Sequence, residues 1–333
     1  MSTIRDVAKL SGVSVTTVSI ILNGQAESRK ISPQTQEKVM AAMKKLNYQP
    51  NISARKIKDM GYTIGVYWAD DFRNYYLARL LNGLQRQIIE SNLNLSIVIK
   101  PYKNGTLGDD PMLKVVGAYN CAIIANTSQE DDAYLESTDF PFPVILYNRT
   151  SGKYHTVGVD NEQVGRQAAM HLINKGLTSI GMFVSETPFS AMSLRDNSFR
   201  KTCKAHGISI SSELVVRTPN QAEVSAEAAA RFFDNKLPPR AIYCENDTIA
   251  RGLLFVLHEH GIRVPEDVEV IAVGVGSSDI HQFTIPSLTV VDLPLEKLAG
   301  ECVLLIQKVL NYKVDTPQHI LFDTNLIVRQ SSP

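Results

Sequence analysis

Cysteine is scarce, with four in 333 residues, and Cys121, Cys203, Cys244 and Cys302 stand far apart with no C-x-x-C pair. Such spacing excludes a disulfide framework and reads as small buried thiols in a reducing compartment. Long hydrophobic runs are missing too. No apolar stretch is long enough to span a bilayer, and Arg5, Asp6 and Lys9 fall where a signal peptide needs its apolar segment, so a cytoplasmic protein with no membrane partner is expected. Catalytic signatures are equally absent: there is no nucleophile elbow, P-loop or paired-carboxylate motif. "GVGSSD", Gly274 to Asp279, lacks the third glycine of a dinucleotide loop and the ribose-binding unit that should follow. His258 and His260 are two residues apart and point to different faces of a helix, which is poor metal geometry. The expectation is a protein that is not an enzyme and carries no cofactor or metal.

Net charge is the last absence, and it is deceptive. The 34 Lys/Arg and 34 Asp/Glu cancel over the whole chain. Residues 1–60, however, hold ten Lys/Arg against four acids, a surplus of +6 that leaves −6 for the rest. A basic head on an acidic body suggests a polyanion-binding module joined to something with another task.

The head reads as three helices. Thr3 and Asp6 have capping-box spacing, so a first helix starts at about Ile4, buries Val7, Ala8 and Leu10, and ends near Gly12. Ser14 caps a second through about Leu22, closed by Asn23-Gly24, and the short turn between the two suits a helix-turn-helix. "ISPQTQEKVMAAMKKLNY" supplies a third, with Ser32 as cap, Pro33 at the tolerated first position, and Val39, Ala42, Met43 and Leu46 on one face. At about 100° per residue, Val18, Ile21 and Leu22 of the second helix share one side. Thr16 and Ile20 lie opposite, flanked by Val15, Thr17 and Ser19. The first set is expected in the core and the second facing outward.

From residue 62 to about 330 the chain alternates strand-like and helix-like segments. "YTIGVYW", "LSIVIKP", "CAIIAN" and "FPVILYN" are apolar β-runs, the first followed by the amphipathic "NYYLARLLNGLQRQIIES". After about Asp160 the series restarts with "GRQAAMHLINKG", "SIGMFVS", "AIYCEND" and "VEVIAVGV". Repeated βα units imply parallel sheets covered by helices, and the length allows two such α/β lobes.

"TIRDVAKLSGVSVTTVSIILN" followed by "SPQTQEKVMAAMKKLNYQPNISAR" resembles the DNA-binding head of the LacI/GalR family of bacterial regulators. The resemblance runs on through "VGVDNEQVGRQAAMHLINKGLTSIGMF", "END", "GIRVPEDVEVIAV" and "IPSLTVV". It implies an all-α helix-turn-helix domain, residues 1–60, with a hinge helix at about 51–58, followed by a two-lobed periplasmic-binding-protein-like domain, residues 61–333, for effector binding and dimerisation. It places Thr3, Arg5, Ser14, Val15, Thr16, Thr17, Ser19, Ile20, Asn23, Thr35, Tyr48 and Asn51 on operator DNA, with Ala54 and Ile57 of the hinge helix in the minor groove. The effector cleft it implies is lined by Trp68, Asp70, Tyr76, Asp160, Arg195, Asn246 and Gly276. The implied partners are a pseudo-palindromic double-stranded operator, a small effector of sugar or sugar-phosphate type, and a second copy of the chain. A missing C-terminal leucine-heptad tail favours the dimer.

Three departures stand out. The loop from Asn23 to Ile31 is longer than usual, Ile57 replaces the common hinge leucine, and "VGVGSSD" puts Gly276 where an aspartate often meets the effector. Asp70 or Asp279 would have to compensate, or the ligand has fewer hydroxyls or an anionic group. Three functional readings stay open: a repressor of carbohydrate-utilisation genes or its counterpart answering a nucleoside or purine, a sensor that no longer binds DNA, and an α/β enzyme with an accessory domain.

Overall fold

The computed structural model describes residues 4–22, 26, 29, 31–46, 61–69, 74–234, 237–312, 314 and 316–333. Two compact units result, Met1–Gly61 and Tyr62–Pro333.

In the first unit, α1 (Ile4–Ser11), α2 (Val15–Leu22) and α3 (Pro33–Lys45) enclose Val7, Ala8, Val18, Val39 and Ala42, with Val13, Ile21, Met43 and Leu46 packed around them. Gly12, at φ +69°, takes the left-handed turn that α1 needs to end within one residue, and the Val13 N–H closes back on the Ala8 carbonyl at 3.1 Å. Leu10 corrects one expectation. It is 45 % exposed, because α3 covers the Val7/Ala8 side of α1 and leaves Leu10 outside the apolar cluster.

The second unit contains two six-stranded sheets. The first runs β11-β5-β4-β3-β1-β2, all parallel, from β1 (Tyr62–Ala69), β2 (Leu95–Tyr102), β3 (Cys121–Ala125), β4 (Val144–Tyr147), β5 (His155–Val159) and β11 (His319–Phe322). The second runs β12-β10-β9-β8-β6-β7, from β6 (Ile180–Ser185), β7 (Val215–Thr218), β8 (Ala241–Cys244), β9 (Glu269–Gly274), β10 (Thr289–Asp292) and β12 (Asn325–Ile327), with only β12 antiparallel. The chain crosses between lobes three times, after β5, after β10 and between β11 and β12. Side chains of successive strand residues point to opposite faces, so the sheet centres read as continuous apolar runs. In β1 to β4, Ile64, Val66, Ile123, Ile145 and Tyr147 enter one core while Tyr67, Ala122, Ile124, Val144 and Leu146 enter another.

The helices that position the cleft are α4 (Asn74–Glu90), α5 (Gln129–Ser137), α6 (Asn161–Asn174), α7 (Ser190–Ala205), α8 (Ala222–Phe233), α9 (Asp247–Glu259), α10 (Ser278–Gln282) and α11 (Leu295–Tyr312). All four cysteines are buried free thiols. Among the described residues no helix is long and apolar enough to cross a membrane.

Candidate functional site

In the head, Ser14 caps α2: its Oγ accepts from the Thr17 N–H at 3.0 Å and shares a 2.9 Å hydrogen bond with the Thr17 hydroxyl. Ser32 does the same for α3 through Thr35, at 3.3 Å and 2.9 Å. With Val18 fully buried, Val15 and Thr16 are exposed, and Thr17 and Ile20 are half-buried. Ile20 is not part of the head's apolar cluster, whereas Ile21 is. The outward row is therefore short, uncharged and apolar at Val15 and Ile20, while exposed Lys9, Arg29 and Lys38 carry positive charge elsewhere on the head. Arg5 lies on α1 and Ser19 on α2. Thr3, Asn23, Tyr48, Asn51, Ala54, Ile57 and the hinge segment 51–58 lie outside the described residues.

In the body, the carboxyl ends of the strands of both lobes converge on a band of buried polar groups. Arg195 of α7, 2 % exposed, donates through Nε to Asn161 Oδ1 at 2.8 Å. Asn161 Nδ2 reaches Asn148 Oδ1 at 3.2 Å, and Asn148 Nδ2 reaches the Tyr76 hydroxyl at 3.3 Å. Tyr76 packs edge-on against Trp68, centroids 5.2 Å apart. Three of the anticipated effector residues, Trp68, Tyr76 and Arg195, are thus joined across the lobes by two asparagines that were not anticipated. A signal for Asn148 existed: it follows β4 with φ +54°, as Asn126 follows β3 with φ +56°, and asparagine is the residue best suited after glycine to that conformation.

The other anticipated positions are placed differently. Asp160 is exposed at the crossover and caps α6, accepting from the Gln163 N–H at 3.0 Å. Asn246 is fully buried, and its amide is engaged inside the lobe: Oδ1 accepts from the Ile249 N–H at 3.0 Å and Nδ2 donates to Asn220 Oδ1 at 2.7 Å. Gly276 is occupied on both sides of its backbone. Its N–H donates to Asp247 Oδ2 at 2.6 Å, and its carbonyl accepts from Arg79 Nη1 at 2.8 Å. A Cβ at Gly276 would lie 3.0 Å from that Asp247 oxygen, so a carboxylate added there would face another. Asp279 is exposed on α10, where the Ser277 hydroxyl holds its pKa below the ordinary value, and Asp70 lies outside the described residues.

Electrostatics in this band are dominated by burial. Beside Arg195, burial first and the Glu245 carboxylate next push Asp196 well above the usual carboxylate range. Glu245 accepts from the Ser185 N–H at 2.5 Å. Burial also raises Asp292, and Arg79 offsets this only in part. At the lip, Ser190 at the start of α7 donates to Asp132 of α5 at 2.5 Å, one lobe touching the other. Phe189 and Met192 bury themselves with Ala69 beside Tyr102.

Both units have known relatives. Residues 3–51 match the family described as bacterial regulatory proteins, lacI family, and residues 169–332 match a periplasmic binding protein-like domain. A LacI family transcription regulator from Clostridium acetobutylicum is 35 % identical, with 80 % of this chain and 99 % of that one covered and a TM-score of 0.76. The HTH-type transcriptional repressor PurR of Photobacterium profundum is 26 % identical over 99 % of this chain and 98 % of its own. The transcriptional regulator CelR–cellobiose complex shares the fold at 24 % identity and a TM-score of 0.70, covering 99 % and 100 % of the two chains. A helix-turn-helix head, two parallel-sheet lobes and a relative this similar over nearly its full length place the chain in the LacI family of bacterial transcription regulators.

Proposed function

We propose that the protein is a homodimeric repressor of carbohydrate-utilisation genes whose affinity for a pseudo-palindromic operator is changed by a sugar or sugar phosphate held between the lobes. The observation that carries the effector reading is the row Trp68, Tyr76, Asn148, Asn161, Arg195. It sets aromatic carbon beside amides that donate and accept and a guanidinium that only donates. A polyhydroxylated ring, apolar on its C–H face and polar at its rim, has the complementary pattern. Exposed Asp160 at the crossover adds an acceptor. On the DNA side, Val15, Thr16, Thr17 and Ile20 form the reading surface of α2, with phosphate contacts left to the basic residues around it. Phe255, Phe283 and Ile285, 61, 76 and 89 % exposed, offer apolar area to a second copy.

A nucleoside or purine effector is the second reading. It is favoured by the aromatic pair Trp68–Tyr76, a surface on which a base can stack. A thermal-shift screen of sugars, sugar phosphates, nucleosides and purines, repeated with operator, separates the two, since a ligand at about 100 times its Kd adds about 2.7 kcal/mol to the state it binds. Stabilisation by sugars supports the first reading; stabilisation by purines alone replaces it. Arg195→Ala should remove the ligand's effect on DNA release while leaving ligand-free operator affinity nearly intact. Duplex affinity that does not fall with rising salt would contradict a DNA-binding head altogether.

A further inference from the structure

We infer that Arg79 sets the angle between the two lobes, with a fixed anchor in the first lobe and a contact to the second that opening must break. Arg79 stands on α4, which lies so close to α11 that a Cβ at Gly83 would fall 2.7 Å from the Ala299 Cβ. That closeness lets Arg79 donate through Nε and Nη2 to both carboxylate oxygens of Glu296, at 2.7 and 2.6 Å. Both helices belong to the first lobe, so this fork is kept whatever the lobes do. The remaining donors leave the lobe. Nη1 reaches the Gly276 carbonyl at 2.8 Å, in the second lobe's loop after β9, and Nη2 reaches the Leu293 carbonyl at 3.0 Å, on the crossover after β10. Asp292, at the end of β10, adds attraction from 3.9 Å.

Arg79 is 8 % exposed. Burial opposes its charge, yet the Glu296 carboxylate more than offsets this and holds its pKa above the ordinary value. Charge-assisted bonds made out of water are short and strong, and the one to Gly276 spans the lobes. Gly276 does not yield easily to that pull. Asp247 Oδ2 takes the N–H groups of both Val275 and Gly276, at 2.9 and 2.6 Å, and lies 2.5 Å from His281 Nε2. Asp247 opens α9, so the Gly276 loop is tied to the framework of the second lobe. Rotating the lobes apart lengthens the Gly276 contact and leaves the Glu296 fork intact, which makes Arg79 a positioning residue with two partner sets.

This inference takes from the proposed function only that the effector is held between the lobes. Its test uses neither DNA nor effector, so the two can fail separately. Asn104→Cys and Glu186→Cys place fluorophores on exposed residues beyond β2 and β6, one on each lobe, while the native cysteines are buried. Doubly labelled protomers diluted into unlabelled full-length protein report the distance between the lobes. Arg79→Gln should raise the ratio of open to closed lobes about tenfold. Arg79→Lys, which keeps the charge and loses the fork, should raise it less. Should Arg79→Gln not fold, the lysine variant carries the same comparison. Unchanged distances in the folded variants, or a broadened distribution with the same mean, would overturn the assignment.

Discussion

Gly165, in the first half of α6, is a place where a single methyl group should disturb the cleft. A Cβ there would come within 2.9 Å of the Arg195 carbonyl carbon and 3.0 Å of the Phe199 nitrogen, and nearer still to the Arg195 oxygen. All three are backbone atoms of α7, so no rotamer change relieves the contact. Restoring ordinary van der Waals separation requires the helices to part by about 1 Å, and α7 carries Arg195 with it. Gly165→Ala gains helix propensity of about 1 kcal/mol. Overpacking typically costs about 1–3 kcal/mol, and a backbone-to-backbone clash belongs at the upper end. The net loss is then about 1–2 kcal/mol, or a Tm lower by roughly 2–8 °C in a domain of this size. Urea titration of the full chain measures it directly, and the ligand response should weaken in parallel because the Arg195 to Asn161 bond is strained. Gly152→Ala is the control: nothing lies within 4 Å of its Cβ, and its stability should be unchanged or slightly higher. A Gly165→Ala protein as stable as wild type would refute the close crossing of α6 and α7.

Four further outcomes are expected. Ser14→Ala removes the α2 cap and should cost about 1 kcal/mol, seen as faster amide exchange in residues 15–18 and weaker binding to every operator sequence. Ile20→Ala should lose about 1–2 kcal/mol of binding mainly at sites with thymine at one position per half-site, whose methyl an aliphatic side chain can cover; a uniform loss would instead make Ile20 a packing residue. The hinge helix that the resemblance implies at 51–58 is too short to be stable alone, so adding operator should slow amide exchange there; exchange unchanged by operator would exclude coupled folding. Burial works against the Glu296 charge, yet Arg79 holds its pKa below the ordinary glutamate value of 4.5. The pair's stabilisation is therefore complete above about pH 4.5 and is lost as the pH falls through the lowered value, and Glu296→Gln should remove that acid-dependent component from a Tm–pH curve.

Local order was legible in the sequence because its causes are local. The caps at Ser14 and Ser32 act on residues three positions away, and the βα alternation follows from apolar runs too short to be anything but strands, separated by amphipathic helices. The inward placement of Val18 and Ile21 on α2 and the burial of all four cysteines followed from the same short-range patterns. Leu10 shows the limit of that reasoning, since its periodicity was right for burial and only the placement of α3 decided that it stays outside. The cleft is a different matter. Asn148 meets Tyr76 from 72 residues away and Arg79 meets Gly276 from 197, and no spacing rule spans such distances. Sequence resemblance named Asn246 and Gly276 for the effector, whereas the folded chain engages the Asn246 side chain and both backbone groups of Gly276 within the protein. Buried polar groups must find partners, and which partners they find depends on three crossovers bringing the carboxyl ends of two sheets together, a property of the assembled chain rather than of any segment of it.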